Sequence, residues 1–552
     1  MTSARWLIVL VCVVLAAPTA SAQIYRGPNT GDTAPTPTPN VTPEPEPEVP
    51  VAEEETEHHH LLRHEFGDIL IEVPFSVAER LDLVGSFQLD RSGAQFEPDP
   101  ALNSQLKVGF IFDTRDWISE GRLRLVYEHD LYTGVHTGGV EENEEFGINM
   151  PLTHHAEHEL LNGYAQLTTG DDLNFWGGFQ LNHWGMGLLA NDGEHDWTPG
   201  SALFSDSRGA DRLLGARAMV GPISDLGFAF GVGGFRIEHD ERFYDEDDDG
   251  TLLTASIELG HDGPNGIGVY SETRRQFNRA NQSELKTSVL DVAARLAIEL
   301  EAVTISAELE ALYQWGETSY ASSETFPVHE ISSEAASLRV GADFGNAGAV
   351  LDLLYASGDD RPEDDRFAAF VADPNYQLSL LTAPIVAAAL SGRSAANGQN
   401  AILPTVAEED YEWFTTGGGF SNTISIFPRG WVRLIDAIEI YGGPMFTFAA
   451  TRPVDPLASD TGGLLVNVFG GSPSSNYFGT EISVFVITGR WLGWSSISRS
   501  RAVSSFLELP SRMLRGNCRA QWAADASSSS SSSRRPHPLS PQESRPLPAA
   551  PH

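Results

Sequence analysis

Long stretches of this sequence alternate apolar and polar residues, and a period of two restricts such stretches to β-strands with two different faces. Within residues 288–300, Leu290 and Leu296 fall on one parity. Asp291 and Arg295 fall on the other. Many strands of this kind, each with one apolar and one charged face, need an apolar medium on one side and a polar one on the other.

The connections between the alternating segments are short and long in turn. Short ones include residues 169–171, 301–302 and 345–347, and long ones include 276–285 and 358–411. A transmembrane β-barrel has short turns at its periplasmic end and long loops at its outer end, so this regularity favours a barrel over a soluble β-sandwich. We therefore predict an all-β fold, an antiparallel transmembrane β-barrel of about 16–18 strands with long extracellular loops. The predicted strands cover residues 81–90, 104–113, 121–130, 160–169, 172–184, 211–221, 226–238, 251–261, 265–275, 286–300, 303–316, 332–344, 348–357, part of 412–434, 437–450 and 477–490.

Both ends of the chain differ in composition from the alternating region. Residues 1–22 combine Arg5, an apolar stretch and a small-residue cleavage site, which predicts a signal peptide. Residues 23–64 are rich in Pro and Glu and predict a disordered linker before a barrel at 65–494. Residues 495–552 are rich in Ser, Arg and Pro and predict a disordered tail. A frame-shifted replacement of the last strands and a basic interaction arm are the alternatives for this tail.

Acidic residues dominate the charge balance, since 76 Asp and Glu against 35 Lys and Arg give a formal net charge of −41. Such a chain lacks the basic surface that neutralises phosphates, which argues against nucleic acid as a partner. The excess of acid fits either a surface hydrated in salty surroundings or cation selection at a pore. Cys12 lies in the predicted signal peptide and leaves Cys518 alone, so no disulfide is expected in the folded part.

Charged residues on the polar parity of the strands are expected to line the inside of the barrel. Apolar residues of the other parity, such as Phe110, Leu125 and Val340, would face lipid. Unpaired buried charges are costly, so an interior that carries both signs predicts a hydrated or ion-paired lumen. The predicted lumen-lining residues are Lys107, Arg122, Arg124, Glu128, Arg217, Asp291, Arg295, Glu299, Glu308, Glu310, Arg339, Asp343 and Asp352.

One acidic turn has the spacing of a calcium loop. Asp245, Asp247 and Asp249 alternate with other residues and precede Gly250. Oxygen ligands at alternate positions can surround a hard cation, and the glycine permits a sharp turn. Ser256 stands where the twelfth position of such a loop carries an acid. The three aspartates are therefore candidate ligands for weak Ca²⁺ binding, with a solvated acidic turn as the alternative, and no other cofactor is predicted.

Catalytic motifs are absent from the sequence. It contains no G-x-S-x-G, H-E-x-x-H, CxxC or phosphate-binding loop. His183 near a strand end is more often a hydrogen-bonding group than a catalyst. We therefore predict that the protein is not an enzyme.

Residues 176–193 are the most distinctive stretch, since they contain NHWGMGLLANDG at 182–193 and are followed by Asp211 and Arg212. With the signal peptide, the Pro-rich linker and the acidic barrel, this stretch resembles uncharacterised outer-membrane β-barrel proteins of myxobacteria. Those proteins are similar in general layout to the alginate-export family of porins. The resemblance covers roughly residues 81–494. It implies a porin of about 18 strands that passes small or oligomeric solutes.

Residues 358–411 form a connection much longer than usual, which points to a functional loop. Its apolar stretch 378–390 is expected to pack on the barrel wall or to form a short helix. We expect a porin-like channel that passes small hydrophilic solutes or oligosaccharides, with a mild cation preference and this loop as an inward constriction. The alternative is a non-conducting surface barrel whose acidic loops serve adhesion or Ca²⁺ binding.

The expected location follows from the predicted signal peptide and barrel. A barrel exported by an N-terminal signal belongs in the outer membrane of a Gram-negative bacterium. The expected partners are outer-membrane lipid, the barrel-assembly machinery and small solutes.

Overall fold

The alternating segments of the sequence are β-strands in the computed structural model of the protein. The structure describes residues 59–507, apart from 83–84, 90–92, 97–100, 119–120, 137–156, 171, 194–210, 241–247, 262, 321–325, 362–363, 379, 401–414, 436–437, 458, 460–464 and 489–497. The strands are β1 (His59–Phe66), β2 (Ile69–Asp82), β3 (Phe87–Gln88), β4 (Gln95–Phe96), β5 (Ala101–Ile118), β6 (Gly121–His136), β7 (Glu157–Thr169), β8 (Leu173–Leu181), β9 (Arg212–Ile223), β10 (Phe228–His239), β11 (Asp248–Leu259), β12 (Gly266–Asn278), β13 (Glu284–Leu300), β14 (Val303–Thr318), β15 (His329–Asp343), β16 (Ala347–Ala356), β17 (Arg366–Phe367), β18 (Thr423–Ile435), β19 (Ile438–Ala449), β20 (Tyr477–Thr488) and β21 (Ser498–Leu507).

Eighteen of the described strands form one continuous antiparallel sheet in which each strand pairs with the next one along the chain. β3 and β4 form a separate small hairpin, and the two-residue β17 pairs in parallel with the beginning of β15. β21 pairs with β20 and approaches β2, so the last strand meets the first hairpin. The order of the strands is that of an up-and-down barrel.

Most short and long connections alternate around this sheet, as the sequence predicted, but β12 and β13 are joined by residues 279–283 alone, although 276–285 was expected to be a long connection. β13 and β14 are joined at residues 301–302. They pair without a register shift, from the pair Leu300 and Val303 next to the turn to the pair Leu285 and Thr318 at the other end. β16 and β18, by contrast, are neighbours in the sheet although residues 357–422 lie between them. The tight turns therefore lie at one end of the barrel and the long loops at the other.

The two faces of the sheet differ in chemistry. Apolar side chains such as Phe230, Leu296 and Val340 are exposed on the outer face. Charged side chains on the opposite parity, including Asp291 and Glu310, are fully buried. An exposed apolar belt around a polar interior is the arrangement of a membrane-spanning barrel. The protein is therefore an antiparallel transmembrane β-barrel, which confirms the predicted fold class.

The first hairpin corrects the predicted start of the barrel. β1 begins at His59, inside the range expected to be linker, and the described part of residues 81–90 contains the end of β2 and the short β3. Pro74 in the middle of β2 obscured this pair in the sequence, because proline normally interrupts a central strand. Gly109 lies opposite on β5, where a Cβ atom would come within 2.7 Å of Pro74 Cγ, so the glycine makes room for the ring.

The last strand corrects the predicted start of the tail. β21 (Ser498–Leu507) extends the sheet into the range expected to be disordered. Its sequence, SRSRAVSSFL, contains few apolar residues, so the period of two is weak there. The predicted signal peptide and the remaining parts of the linker and the tail lie outside the described residues.

The interior of the barrel contains a hydrophobic core made by segments that fold inward. The first inner loop (residues 182–193) follows β8, and the inner hairpin is β3–β4. The long inner loop, which is the described part of residues 357–422, lies between β16 and β18. The long inner loop contains a π-helical turn, Thr382–Ala387, that continues into α1 (Ala388–Asn400). None of the helices in the described part of the chain is long and apolar enough to cross a membrane.

Candidate functional site

The first inner loop carries the sequence NHWGMGLLANDG and lies against inward-facing residues of β12 to β14. The Trp184 ring stacks on Tyr270 of β12 with ring centroids 5.0 Å apart, and Asn182 Nδ2 donates to the Tyr270 hydroxyl at 3.3 Å. Trp184 N donates to Ala190 O at 3.1 Å and closes the loop. Gly185 has a φ of +60°, and a Cβ atom there would lie 2.7 Å from the carboxylate of Glu310. The small residues of the motif therefore let the backbone approach the wall.

Glu310 of β14 anchors the first inner loop. Its side chain is fully buried, and its Oε1 atom accepts a hydrogen bond from Leu188 N at 3.1 Å. Met186 N also donates to the same carboxylate. A buried carboxylate is costly unless hydrogen bonds replace its water, and here backbone N–H groups do so. The predicted lumen-lining residue Glu310 thus holds a loop inside the barrel.

The long inner loop packs against a different sector of the wall. Tyr376 is fully buried and shares a hydrogen bond with Ser337 of β15, and burial raises the pKa of its hydroxyl, which stays protonated at neutral pH. Phe370 and Phe420 of the same loop belong to a core with Leu354 of the wall. Asp373 N donates to Leu188 O at 3.0 Å, so the two inner loops are joined to each other.

Glu481 of β20 anchors the long inner loop as Glu310 anchors the first. Its Oε1 atom accepts from Leu380 N at 3.0 Å, and its Oε2 atom accepts from Thr382 N at 2.9 Å and from Thr382 Oγ1 at 2.8 Å. Leu381 N lies 3.3 Å from both oxygens. These donors are the unpaired N–H groups just before the helical turn and at its first residue, where a negative charge is favourable.

The inner hairpin covers the helical part of the long inner loop. Leu89 and Phe96 are buried against Ile385, Ala388 and Ala389. Leu89 N donates to Ala94 O at 2.8 Å and closes the hairpin. Segments that follow β2, β8 and β16 therefore fill one side of the lumen together.

An ion-paired cluster lies on the wall beside the long inner loop. Asp352 of β16 is fully buried, accepts from Arg339 Nε at 2.7 Å and also pairs with the buried Arg429 of β18. Arg339 Nη1 reaches Glu308 at 3.5 Å. The two guanidinium groups donate hydrogen bonds to both oxygens of the Asp352 carboxylate. An unpaired carboxylate could not be buried at this position without a large cost.

The opposite sector of the wall, on β6 to β9, carries polar and aromatic groups. Arg217 faces inward yet is exposed, and its Cζ atom lies 4.5 Å from the centre of the Trp176 ring. Asn162 Nδ2 donates to Glu128 at 2.5 Å, and Arg124 follows on the same face of β6. Arg217 lies in the middle of β9, unlike the exposed Glu299 at a strand end, so its exposure indicates solvent inside the barrel at this side. The lumen is thus filled along β13 to β20 and hydrated next to Arg217.

The register places all the predicted lumen-lining residues on the inward parity, but their contacts differ. Arg122 pairs with Asp113 near the tight turns. Arg295 donates to Gly260 O and Gly263 O at 2.8 and 2.9 Å, and Asp343 accepts from Gly345 N at 2.6 Å, so both hold tight turns. Lys107 lies opposite Asp130 on β6, and Glu299 is exposed at the end of β13. Asp291 is buried, and its neighbours on the adjacent strands are Tyr270 and Leu312.

The candidate calcium ligands are divided by the structure. Asp245 and Asp247 lie outside the described residues, whereas Asp249 of β11 pairs with Arg279 and lies 3.7 Å from Arg236. Among the described residues no group of three or more His, Cys, Asp or Glu side chains could hold a metal ion. Weak Ca²⁺ binding at this turn stays a prediction.

Sequence reasoning missed several residues of the inner site, above all Glu481, Arg429 and Tyr376. Glu481 lies between Thr480 and Ile482 on the polar parity of a strand that was predicted, which is the same signal that pointed to Glu310. Tyr376 carried no periodic signal because it lies in an irregular loop.

No protein-family model matches the chain, and no curated protein matches it. Solved structures similar to it include Pseudomonas aeruginosa OccK2 (OpdF) in complex with glucuronate, at 10% identity and a TM-score of 0.44, covering 80% of this chain and 92% of that one. Pseudomonas aeruginosa OccK5 (OpdH) is similar at 8% identity and a TM-score of 0.41, with coverages of 77% and 88%. The outer membrane channel DcaP of Acinetobacter baumannii is similar at 11% identity and a TM-score of 0.36, with coverages of 69% and 91%.

Proposed function

We propose that the protein is an outer-membrane channel for small hydrophilic solutes or oligosaccharides, narrowed by its inner loops. The observation that carries the proposal is the contrast between two sectors of the wall. Inward-facing residues such as Leu312 and Glu310 are fully buried under the inner loops, whereas inward-facing Arg217 is exposed. Filling one side of a barrel this wide leaves a narrowed polar path along the other.

The chemistry of this path fits hydrogen-bonding solutes. Asn174 accepts from Thr168 Oγ1 at 2.7 Å and from Gln166 Nε2 at 3.3 Å, next to the Trp176–Arg217 pair. Amides and hydroxyls can exchange hydrogen bonds with a passing solute, and an aromatic ring offers a flat apolar face to a sugar ring.

The charge preference of the channel is proposed to be mildly cationic. The acidic residues of the long loops, including Glu141 and Asp360, concentrate cations at the mouth. Arg124 and Arg217 on the hydrated wall act in the opposite sense and keep the preference small. Because the loop charges are screened over about 8 Å at physiological ionic strength, the preference should fade as salt is raised.

Planar-bilayer recording of the purified full chain tests this proposal. We expect stepwise conductance, and reversal potentials across a salt gradient that indicate weak cation preference at low salt. Swelling of liposomes with sugars of increasing size then gives the size limit. Bilayers that stay silent with correctly folded protein would contradict the channel proposal, and anion preference at low salt would contradict the electrostatic part alone.

A non-conducting surface barrel remains the second candidate, because the inner loops and the inner hairpin fill much of the lumen. The core formed by Phe370, Tyr376 and Phe420 is as tightly buried as that of a soluble domain. The same bilayer recording separates the two functions. Silent barrels that bind Ca²⁺ or mediate adhesion through their loops would favour the second.

A further inference from the structure

The first inner loop covers a carboxylate whose burial no donor compensates. Asp291 of β13 is fully buried, and no N–H or O–H group of the residues that the structure describes donates to either of its carboxylate oxygens. A buried carboxylate without donors is costly, because it has lost its water and gained no hydrogen bond in exchange. Such a group is rare in folded proteins and has a physical cause.

The Asp291 side chain lies beside that of Glu310, which anchors the first inner loop. In the register of β13 with β14, Asp291 is opposite Leu312 and Ala293 is opposite Glu310. The two acids are therefore diagonal neighbours on the inward face, close enough for their side chains to touch. Their carboxyl groups lie within hydrogen-bonding reach of each other. Like charges repel strongly where water is excluded, so both groups cannot be ionised here.

A second buried polar group lies at the same place. Trp184 of the first inner loop stacks on Tyr270, and its Nε1 atom is buried without an acceptor among the described residues. The Asp291 carboxyl group lies next to this nitrogen. An indole N–H can only donate. It can therefore satisfy one oxygen of Asp291 and leave the other for Glu310.

We propose that Asp291 and Glu310 share a single proton, and that this proton holds the first inner loop in the lumen. With the proton on Asp291, its hydroxyl donates to Glu310 while Trp184 Nε1 donates to its carbonyl oxygen. Glu310 then keeps the one negative charge, which accepts from Leu188 N and Met186 N. One proton thus gives a partner to both Asp291 and the indole N–H. The proposal goes beyond conduction, since it concerns what keeps this loop attached.

A shared proton makes the attachment of the loop depend on pH. In a detached loop both carboxyl groups are in water, where such groups ionise above about pH 4. Detachment at neutral pH therefore releases one proton. An equilibrium that releases one proton shifts about tenfold toward release with each pH unit. The attachment should weaken as the pH rises through neutrality, until the attached pair itself loses its proton.

Other ionisable groups are packed around the pair. Glu272 accepts from the Tyr270 hydroxyl at 2.8 Å and adds a further negative charge beside Asp291. Within the first inner loop, His183 lies 3.5 Å from Asp192 and forms an ion pair with it only when protonated. The groups on the other neighbouring elements are Arg295 of β13, Glu308 of β14, Arg339 of β15, and Asp373 and Tyr376 of the long inner loop. A variant of Asp291 separates the shared proton from titration of His183.

Single-channel recording of the full chain at several pH values tests the proposal. We expect excursions of the wild type to a higher conductance level to become about tenfold more frequent per pH unit between about pH 6 and about pH 8. Asp291→Asn has an amide that donates to Glu310 and accepts from Trp184 Nε1 without a titrating proton, so its excursions should not depend on pH in this range. Asp225→Asn, the control, makes the same change on an exposed residue of the turn between β9 and β10 and should behave as the wild type does.

Infrared spectroscopy of the purified barrel provides a readout that does not need conduction. The wild type at neutral pH should show the band of a protonated carboxyl group, and Asp291→Asn should lack it. If Asp291→Asn does not fold, Glu310→Gln serves the same test, because Asp291 then accepts from the amide and needs no proton.

The outcomes separate the shared proton from the channel function. The band in silent barrels would contradict the channel and support the shared proton. A wild type without the band at neutral pH would overturn the proposal. A pH dependence that persists in Asp291→Asn would also overturn it and would assign the effect to His183 and Asp192.

Discussion

Replacing Glu481 by glutamine should loosen the long inner loop without unfolding the barrel. The glutamine keeps one oxygen in the position of Oε1 and its bond from Leu380 N. It places an amide NH₂ group where Oε2 accepts from Thr382 N and Thr382 Oγ1. The Thr382 N–H then faces another donor, whereas the Thr382 hydroxyl can rotate and accept from the amide.

The size of the effect follows from these two bonds. A hydrogen bond to a charged group contributes roughly 1.5–3 kcal/mol and a neutral one about 1 kcal/mol, so losing the first bond and weakening the second should lower the free energy that holds the loop by about 3 kcal/mol. A change of about 3 kcal/mol raises the population of the detached loop roughly 100-fold. The burial of Phe370, Tyr376 and Leu378 still favours the closed arrangement, so detachment should be transient. The strand pairs of β20 are not altered.

Single-channel recording measures how often the long inner loop detaches. We expect Glu481→Gln to show frequent excursions to a higher conductance level, with the same heat-modifiable mobility on gels as the wild type. Glu301→Gln is the control, because it makes the same chemical change on an exposed residue of the tight turn between β13 and β14. A Glu481→Gln trace as quiet as that of Glu301→Gln would refute the anchoring role of Glu481.

Two further predictions concern the lipid face and the topology. Leu296→Arg, at an exposed outward position, should destabilise the barrel by roughly 2–4 kcal/mol if it lies near the bilayer midplane. Leu296→Ala should cost less in the same urea-unfolding assay in liposomes, and equal losses would contradict the lipid-facing assignment. An epitope inserted in the connection 137–156 should be labelled on intact cells, whereas one at Gly345, between β15 and β16, should not. Labelling of the epitope at Gly345 alone would show that the barrel has the opposite orientation in the membrane.

Most of the barrel could be predicted from the sequence because membrane burial acts on every second residue. Leu290 and Asp291 are assigned to opposite faces by parity alone, and the register of β13 with β14 then follows from the two-residue turn. The misses occur where this signal is weak. β1 carries the polar His64 on its outward face, and β2 carries Pro74 in the middle of the strand. Both residues break the period of two.

The inner loops could be predicted less well, since their contacts have no period. The length of the connection 358–411 and its apolar stretch indicated an inward segment, and the structure places the described part of it in the lumen. The partners were not predictable, because Glu310 and Glu481 bind backbone N–H groups that every residue except proline offers. The motif at 182–193 stood out in the sequence, but its position as an inner loop was not predicted. Gly185 has a φ of +60° there and lies against Glu310.

An inner loop that is anchored through its backbone leaves little signal in its own sequence. A backbone N–H does not depend on the side chain of its residue, so Leu380 and Thr382 supply donors that many other residues could replace. The carboxylate has no such substitute, because it must be charged, buried and placed on an inward position of a strand. An inner loop of this kind is therefore specified mainly by the wall. A glutamate on the polar parity of a barrel strand, as Glu481 is between Thr480 and Ile482, is thus a candidate anchor for an inner loop even where the loop itself shows no pattern.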